Sequence, residues 1–557
     1  MITRFSIVTL VFFIISIALV IQPLAFWIRL PYLGRRKVSL DLLTAPIITI
    51  AILWAAQCLG PEQIRNGIAG ADGIKPYNIL ILFFSLAYMA ITLDITGAFQ
   101  AAAFWVSNKS GSSSYRLFTY FYLMLTLLGV ILGNDPVVLS GTVFLIYYTN
   151  ATGLDPIPWL ITEFAVANTA SMVLFVGNLT NVTICEGFRI NNVAFTAYTI
   201  LPFVGCIVTA YFVLAGQFLA TGKIPRRLQH VGHLNPRGVL RDPVGAWVGG
   251  ILLGTCLVVV IVLSFFNVDV WMITLPFAVV KIIWDLCWDH YRYITGKIPR
   301  QPAGSDGEKT DMASDDPMLS ELKRAMHAQE ASDEQRNGKE EISATPSSTL
   351  DGTTKPEQPE PRDKEPANLM LFPTLQHRLR DLHTSLRTHF PTFFTALPRL
   401  PFALAPFSFS QFILIEALVH QGWIDVFARW LILASNNGQM HPTLWLVGVL
   451  GVILCNIAGT NIGATILLTK VVRTAGPSLS PETTRAAGVA LAVTSNIGAV
   501  SFTFSASLAG LLWKSIIEQK GIGIRQSMFA RWNLGPILVM TGVGLGIVSA
   551  EMAVLYR

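Results

Sequence analysis

Leu128–Asn134 reads LGVILGN and Leu450–Asn456 reads LGVILCN, so six of seven positions recur in the two halves of the chain. The flanks recur as well. Asp94 precedes Asn134 by forty residues, and Glu416 precedes Asn456 by the same forty. Downstream, Asn168-Thr169-Ala170 has its counterpart in Asn496-Ile497-Gly498. Self-similarity at a fixed distance is the mark of one structural unit used twice, and the fold follows from that unit.

The unit belongs in lipid. Of 557 residues, 52% are hydrophobic and 13% are charged, where an ordinary soluble protein carries about 25% charged residues. Apolar runs reach the length of about 20 residues that crosses a bilayer as a helix. The spacing predicts spans at Phe5–Leu24, Leu42–Leu59 and Tyr77–Phe99, then a pair of arms at Tyr115–Gly133 and Val137–Tyr148. Pro156–Val176, continuing to Gly187, Phe195–Leu219, Val244–Phe266 and Val270–Trp288 follow. After a polar tract come Leu397–Val419, a second pair of arms at Thr443–Cys455 and Ile462–Val472, Ala486–Phe504 continuing to Ile517, and Leu534–Leu555. The first span has no small-residue cleavage site and is expected to be retained.

The expected fold is an all-α polytopic membrane protein with two inverted repeats, each of five transmembrane helices plus one re-entrant helical hairpin. The first repeat covers 1–243, with its hairpin at about 115–150. The second opens with two helices over 244–288 and resumes over 396–557, with its hairpin at about 443–473. Between them, 289–395 is rich in Pro, Ser, Glu, Asp and Lys. Such a tract cannot bury enough apolar surface to fold alone, and it is expected to be a disordered cytoplasmic linker, with a short helix near Met318–Ala331. Five crossings is an odd number, so the second repeat enters from the opposite face. Inverted-topology repeats of this kind are a signature of secondary transporters.

Charge placement agrees. Arg29, Arg35, Arg36 and Lys37, then Lys223, Arg226, Arg227, Arg237 and Arg241, fall in loops that the span count puts on one face. Arg292, Lys297, Arg300, Arg378 and Arg380 beside the polar tract, and Lys514, Lys520, Arg525 and Arg531, fall there too. The positive-inside rule makes that face cytoplasmic and turns both termini away from it. The net charge of +6 therefore bears on orientation and not on nucleic acid. The six cysteines form no CxxC pair and read as small buried hydrophobes.

Polar groups interrupt the apolar runs at matching places. Between the first arms stands Gly133-Asn134-Asp135-Pro136, and a proline there predicts a helix break. A break at membrane depth is tolerated only inside protein or beside a wet cavity, so a re-entrant hairpin is expected, the alternative being two ordinary spans with an outside turn. The second tip runs Asn456 to Gly463 and includes Thr460 and Asn461. The span after the first hairpin carries Gly177-Asn178-Leu179-Thr180-Asn181. The span after the second carries Thr494-Ser495-Asn496 and later Ser505-Ala506-Ser507. Broken helices at corresponding positions of two halves are the best pointer in a sequence to a transport site, and their N-termini favour an anion or a polar neutral solute. Any one of these amides or hydroxyls alone could equally serve helix–helix packing.

Ionisable residues inside a bilayer are expensive and mark function. Asp135 at the tip is the leading proton-coupling candidate. Asp94, Glu416 and Glu163 follow, the first two being alternatively anchors at span ends. Asp285 and Asp289 are expected at the interface. No nucleophile–base pair and no metal-ligand spacing such as HExxH is present, which argues against an enzyme, and no cofactor is expected beyond a coupling H+ or Na+.

At these residues the chain resembles the ArsB/NhaD-type permeases of the ion transporter superfamily. LGNDPVVLSGTVFL resembles the S-N-D-A-T hairpin of that family, and GLDPIPWLITEFAVANTASMVLFVGNLTN its L-G-L-D-P and A-N-I-G…P-I-G-N-P-x-N segments. NIAGTNIGATILLTKV resembles N-x-x-N-N-L-P-A, and SNIGAVSFTFSASLAGLLW resembles N-L-G-P-x-x-T-P-I-G-S-L-A-T-L-L-W. The prolines around Gly177-Asn178 and the Pro and Gly of T-P-I-G-S are absent here. The resemblance implies hairpins facing opposite sides, a homodimer and alternating access by an elevator-like motion. It places Asn134, Asp135, Asn168, Gly177, Asn178 and Asn181 in a first-half site, and Asn456, Asn461, Asn496, Ser505 and Ser507 in a second-half site. Thr169, Thr180, Thr460 and Ser495 lie within the same polar clusters.

The expected function is secondary active transport, with proton-linked efflux of arsenite, antimonite or a similar small anion or metalloid acid across the plasma or vacuolar membrane as the leading reading. A sodium/proton antiporter or a sodium-coupled di- or tricarboxylate carrier is the alternative on the same scaffold. A membrane receptor or transport-dead scaffold signalling through the polar tract is the alternative of another class.

Overall fold

The computed structural model describes residues 2–30, 34–71, 73–227, 234–266, 268–297, 318, 320–322, 324 and 373–556. Helices α1 (Arg4–Ile21) and α2 (Thr44–Ala55) are joined by an antiparallel ribbon of β1 (Leu24–Leu30) and β2 (Gly34–Leu40). The first half continues through α3 (Pro61–Ala69), α4 (Pro76–Ile95), α5 (Ala98–Ser110), α6 (Ser114–Leu132) and α7 (Asn134–Thr152). It ends with α8 (Pro156–Ala170), α9 (Leu179–Phe188) and α10 (Asn192–Ala220). Then come α11 (Pro243–Leu263), α12 (Trp271–Ile294), α13 (Pro373–His389) and α14 (Pro391–Ala396). The second half closes with α15 (Leu404–His420), α16 (Trp423–Ala434), α17 (Met440–Ile457), α18 (Asn461–Ala475), α19 (Pro481–Val500), α20 (Leu508–Gln519) and α21 (Gln526–Leu555). Among the described residues, nine helices are long and apolar enough to cross a bilayer.

The order of elements repeats. In both halves a long helix with a carboxylate near its C-terminal end (α4, α15) leads to a short helix, two arms, a helix broken by a polar loop, and a final helix with an internal proline. Those final helices, α10 with Pro202 and α21 with Pro536, pack along each other. The repeated motif has a packing reason. A Cβ on Gly129 of α6 would stand 2.8 Å from Ala170 Cβ of α8, and one on Gly451 of α17 would stand 2.6 Å from Thr494 Oγ1 of α19. Each first arm therefore lies directly against the broken helix of its own half, the close backbone approach that small residues permit in membranes.

Helices α4 and α15 run in opposite senses where they meet. Arg399, just before α15, pairs with Asp94 at the end of α4 at 3.1 Å. Gln63, ahead of α4, hydrogen-bonds His420 at the end of α15 at 3.3 Å.

Several expectations need correction. The span at Leu42–Leu59 is only the 12-residue α2, about 18 Å long and too short for the hydrocarbon core, because the chain turns through Gln57 (φ 57°) into the Pro61 start of α3. The span at Tyr77–Phe99 stops at Ile95, where Gly97 (φ 86°) turns the chain into α5. A Cβ there would run into Val239 O. The ribbon β1–β2 is a departure from an all-α fold; its alternation is masked by a basic, loop-like sequence. The polar tract is helical at both ends, since α12 runs to Ile294 and α13 and α14 occupy 373–396. Residues 318, 320–322 and 324 are helical, and the rest of the expected 318–331 helix and most of the linker lie outside the described residues.

Asp285 and Asp289 are not interfacial but buried, at 4% and 0% exposure. Asp285 is ion-paired within α12 to Lys281, a residue the sequence reading passed over, and accepts a 3.0 Å bond from Tyr88 Oη of α4. Asp289 accepts from Thr392 N at 2.7 Å and Thr392 Oγ1 at 2.9 Å. Thus α12 is held to α4 and α14 by charge. Removing one partner of a buried pair strands the other, at a cost of about 3–5 kcal/mol, whereas replacing both with apolar residues costs much less. Lys281→Met is accordingly expected to lower the melting temperature in detergent sharply, and Lys281→Met/Asp285→Leu to recover most of the loss. A double variant as unstable as the single one would show that the pair does not hold the helix.

Candidate functional site

The first break needs no proline. The helix stops at Gly133, whose φ of 82° and ψ of −179° suit glycine alone, and α7 starts at Asn134. Pro136 lies inside the first turn of α7, where its missing N–H costs nothing. The second tip is longer. Asn456, matched to Asn134 by the sequence motif, still lies in α17, and it is Asn461, five residues on, that opens the second arm. Three of the four arms are also longer than the sequence suggested, with 19 residues for α7, 18 for α17 and 15 for α18, while α6 has the expected 19.

Four chain segments meet at the tips. A cavity of about 20 Å³ is lined by Asn134 and Asp135, Asn178 and Leu179, Asn461 and Ile462, and Ser507, Leu508 and Ala509, closed by Phe83 and Leu404. Each of the four pairs or triplets opens a helix: α7, α9, α18 and α20 all begin here. Asn178 caps α9 by accepting from Thr180 N (3.2 Å), Thr460 caps α18 through Gly463 N (3.2 Å), and Ser507 caps α20 through Gly510 N (3.0 Å). Unsatisfied amide groups and aligned peptide dipoles thus point inward from four directions. A volume of this size admits one water-sized occupant. A second cavity, of about 30 Å³, lies behind the first tip against Gly133, Asn134, Asp135 and Gly177. Asp135 borders both, is 9% exposed, and takes no hydrogen bond from the described residues.

Around the cavity an amide web crosses between the halves. Asn134 Nδ2 donates to Asn168 Oδ1 (3.1 Å), and Asn168 Nδ2 to Phe164 O (2.9 Å). Asn496 Oδ1 accepts from Ser171 Oγ (3.0 Å) and Asn178 Nδ2 (3.2 Å), while its Nδ2 donates to Asn181 Oδ1 (2.8 Å). Asn181 Nδ2 in turn satisfies Ser171 O and Leu174 O, carbonyls freed by the break in the first half. Ser495 Oγ lies 3.5 Å from Thr180 Oγ1. Asn496 is therefore a keystone of the other half's break rather than a liner of the cavity. Interhelical bonds in membranes contribute about 0.6 kcal/mol each, so Asn496→Ala, which removes three, is expected to lower stability by about 2 kcal/mol. Thermal unfolding in detergent would show it; an unchanged midpoint would place the web's contribution elsewhere.

Other sequence candidates stand apart. Asn456 Oδ1 accepts from Phe502 N at 2.8 Å, Ser505 Oγ reaches Thr503 Oγ1 at 3.4 Å, and Thr169 Oγ1 bonds Ala165 O at 2.8 Å, all outside the cavity lining. Gly177 faces the tip from behind, its carbonyl against Gly133. Glu163 is fully buried on the far side of α8, accepting from Thr142 Oγ1 at 3.0 Å. Asp94 and Glu416 lie at opposite helix ends. The reading missed Gly133, Phe83 and Leu404. Gly133 alone carried a signal, a glycine directly before the asparagine.

Two larger cavities flank the tips. One, of about 340 Å³, is lined by Asp94, Gln100, Ser140, Arg241, Arg399 and Gln519 among others. The other, of about 360 Å³, is lined by Asn78, Cys185, Glu186, Arg189, Asn191 and Asp269 among others. Beside the latter, Asp269 bonds Lys75 Nζ at 2.7 Å and holds that ammonium's pKa above the ordinary lysine value. Helix α4 measures their separation: Asn78 borders one, Phe83 the tips and Asp94 the other, so the vestibules open about 24 Å apart with the tips between them. From the tips, α7 and α20 run to the Asp94 vestibule, and α9 runs to the Glu186 vestibule with α18 packed beside it.

Apolar spans around a small polar chamber with a larger cavity on either side define a multi-pass membrane protein with an internal polar site. Residues 10–287, 278 of the 557, match the family profile described as Citrate transporter. The arsenical pump membrane protein of Escherichia coli is 24% identical over 214 residues, 37% of this chain and 49% of that protein. That of Yersinia enterocolitica is 26% identical over 157 residues, 27% of this chain and 36% of that protein. The chain spans less than half the length of these curated relatives. Among solved structures, the Alcanivorax borkumensis YdaH transporter aligns over 100% of this chain and 99% of its own, with a TM-score of 0.37 and 11% identity. The matched profile and these relatives are transport proteins and not enzymes.

Proposed function

We propose that the chain is a secondary transporter that carries a small anion or its neutral acid through the tip cavity by alternating access, with arsenite- or antimonite-like metalloid acids as substrate and a proton as coupling ion. The observation that carries this reading is the convergence of four helix N-termini on one cavity bordered by Asp135. Amide dipoles from four sides favour negative charge, and the nearby carboxylate must be neutralised when an anion is present, which a proton does. The antiparallel run of α4 and α15 supports two inverted repeats, and the tips between two vestibules support re-entrant hairpins facing opposite sides. On this reading the vestibule with Arg241, Arg399 and Lys520 near it is cytoplasmic by the positive-inside rule. A homodimer moving by an elevator-like slide fits the resemblance.

The chamber must widen for any solute larger than water, and least for a compact one. The names of the Escherichia coli and Yersinia relatives favour a metalloid substrate. The family description keeps a sodium-coupled carboxylate carrier as the second reading. Purified protein in proteoliposomes, given a pH gradient or a sodium gradient, decides between them. Arsenite or antimonite flux driven by the pH gradient is expected. Sodium-driven citrate flux with no metalloid movement would replace the first reading with the second.

A further inference from the structure

Each half ties its second hairpin arm to its own long helix through a carboxylate, and the two ties lie on opposite sides of the tips. In the first half Asp94, near the end of α4, accepts a hydrogen bond from Ser140 Oγ of α7 and pairs with Arg399 at 3.1 Å; Gln100 Nε2 lies 3.5 Å away. In the second half Glu416, near the end of α15, pairs with Lys470 of α18 at 2.6 Å. Glu416 and Lys470 are 8% and 4% exposed. Asp94, Ser140 and Arg399 line one vestibule. Thr469, beside Lys470, packs against Gly187, which adjoins Glu186 in the lining of the other. Since α4 and α15 run in opposite directions, their C-terminal carboxylates mark opposite faces.

We propose that Asp94–Ser140–Arg399 and Glu416–Lys470 are a matched pair of latches, one at each face, that hold arms α7 and α18 against α4 and α15, and that the transport cycle opens them in turn. The proposal rests on the alternating-access reading above. Its physical basis is that a buried carboxylate cannot be left alone: Glu416 and Lys470 are both buried, and Asp94 is 7% exposed although Arg399 is 43% exposed, so each carboxylate must be resolvated or re-paired once its arm moves away. A vestibule that floods as its arm swings supplies the water that makes the separation affordable. With both ties made, as here, the chamber between them is closed to about 20 Å³. The residues are positioning groups, since none of them lines that chamber.

The test uses full-length protein in liposomes with two single-cysteine reporters at buried lining positions in a cysteine-free background, Phe144→Cys for the Asp94 vestibule and Val182→Cys for the Glu186 vestibule. Glu416→Gln and Lys470→Met should each speed labelling of Val182→Cys about tenfold, within the usual range of conformational coupling, and leave Phe144→Cys unchanged or slower. Asp94→Asn should do the reverse. Glu416→Lys/Lys470→Glu, which restores the pair with its charges exchanged, should return labelling to the parent rate. A merely structural role would raise labelling at both reporters in every variant and show no recovery in the exchanged pair. Either of those results overturns the latches. The labelling readout needs no substrate, so it fails or succeeds independently of whether metalloid flux is found.

Discussion

Asp135→Asn should leave the protein in the membrane and reduce pH-driven flux by about one to two orders of magnitude, the span of a coupling free energy of about 1–3 kcal/mol. The change is nearly isosteric, so the tip should keep its shape, and it removes only the ability to carry a charge or a proton. The carboxylate lies in the first turn of α7, borders both tip cavities and takes no hydrogen bond from the described residues. It is therefore the one carboxylate placed where an occupant of the tip cavity would meet it. Flux that still follows the pH gradient in Asp135→Asn, measured in proteoliposomes beside the parent, would remove Asp135 from the coupling step.

Gly133→Ala should be among the most damaging single-methyl additions at the described glycines. Its φ of 82° with extended ψ lies where an L side chain is strained by about 1–3 kcal/mol. A Cβ there would also stand 2.5 Å from Gly177 O, on the loop that breaks the next helix. Backbone faces backbone, so neither side can yield without shifting both the tip and the break. Gly222→Ala separates the two effects, because Gly222 has φ 67° and open space around it. We expect Gly222→Ala to cost about 1 kcal/mol and to keep transport, while Gly133→Ala loses both thermal stability and flux. Equal melting temperatures for the two variants would mean that the approach to Gly177 carries no weight.

Much of the architecture was legible because lipid leaves few options. Long apolar runs become helices, and a polar loop inside one must face protein or water. Hence the long apolar helices and the two interruptions, after Ala170 and after Val500, are legible in the sequence. The motif LGVILGN marks the repeat, and what the sequence did not show is that its first glycine makes the close contact of arm on broken helix. What misled was local. Pro136 advertised a break that Gly133 makes. The short α2 and the bend at Gly97 were hidden because an apolar composition runs on through a turn. Asp285 looked interfacial because its partner Lys281 is one helical turn away and its other partner, Tyr88, is on α4.

Pattern and composition were enough to establish a helical membrane protein built twice over, with polar interruptions at matching places, because those properties depend on residues close together along the chain. They could not say that four helix starts share one chamber, that Asn496 props up the break of the other half, or that Asp94 finds Ser140 and Glu416 finds Lys470. Each of those contacts joins segments dozens to hundreds of residues apart. They exist only because antiparallel packing of the two halves brings opposite ends of equivalent helices to the same depth, a relation that no local stretch of sequence encodes.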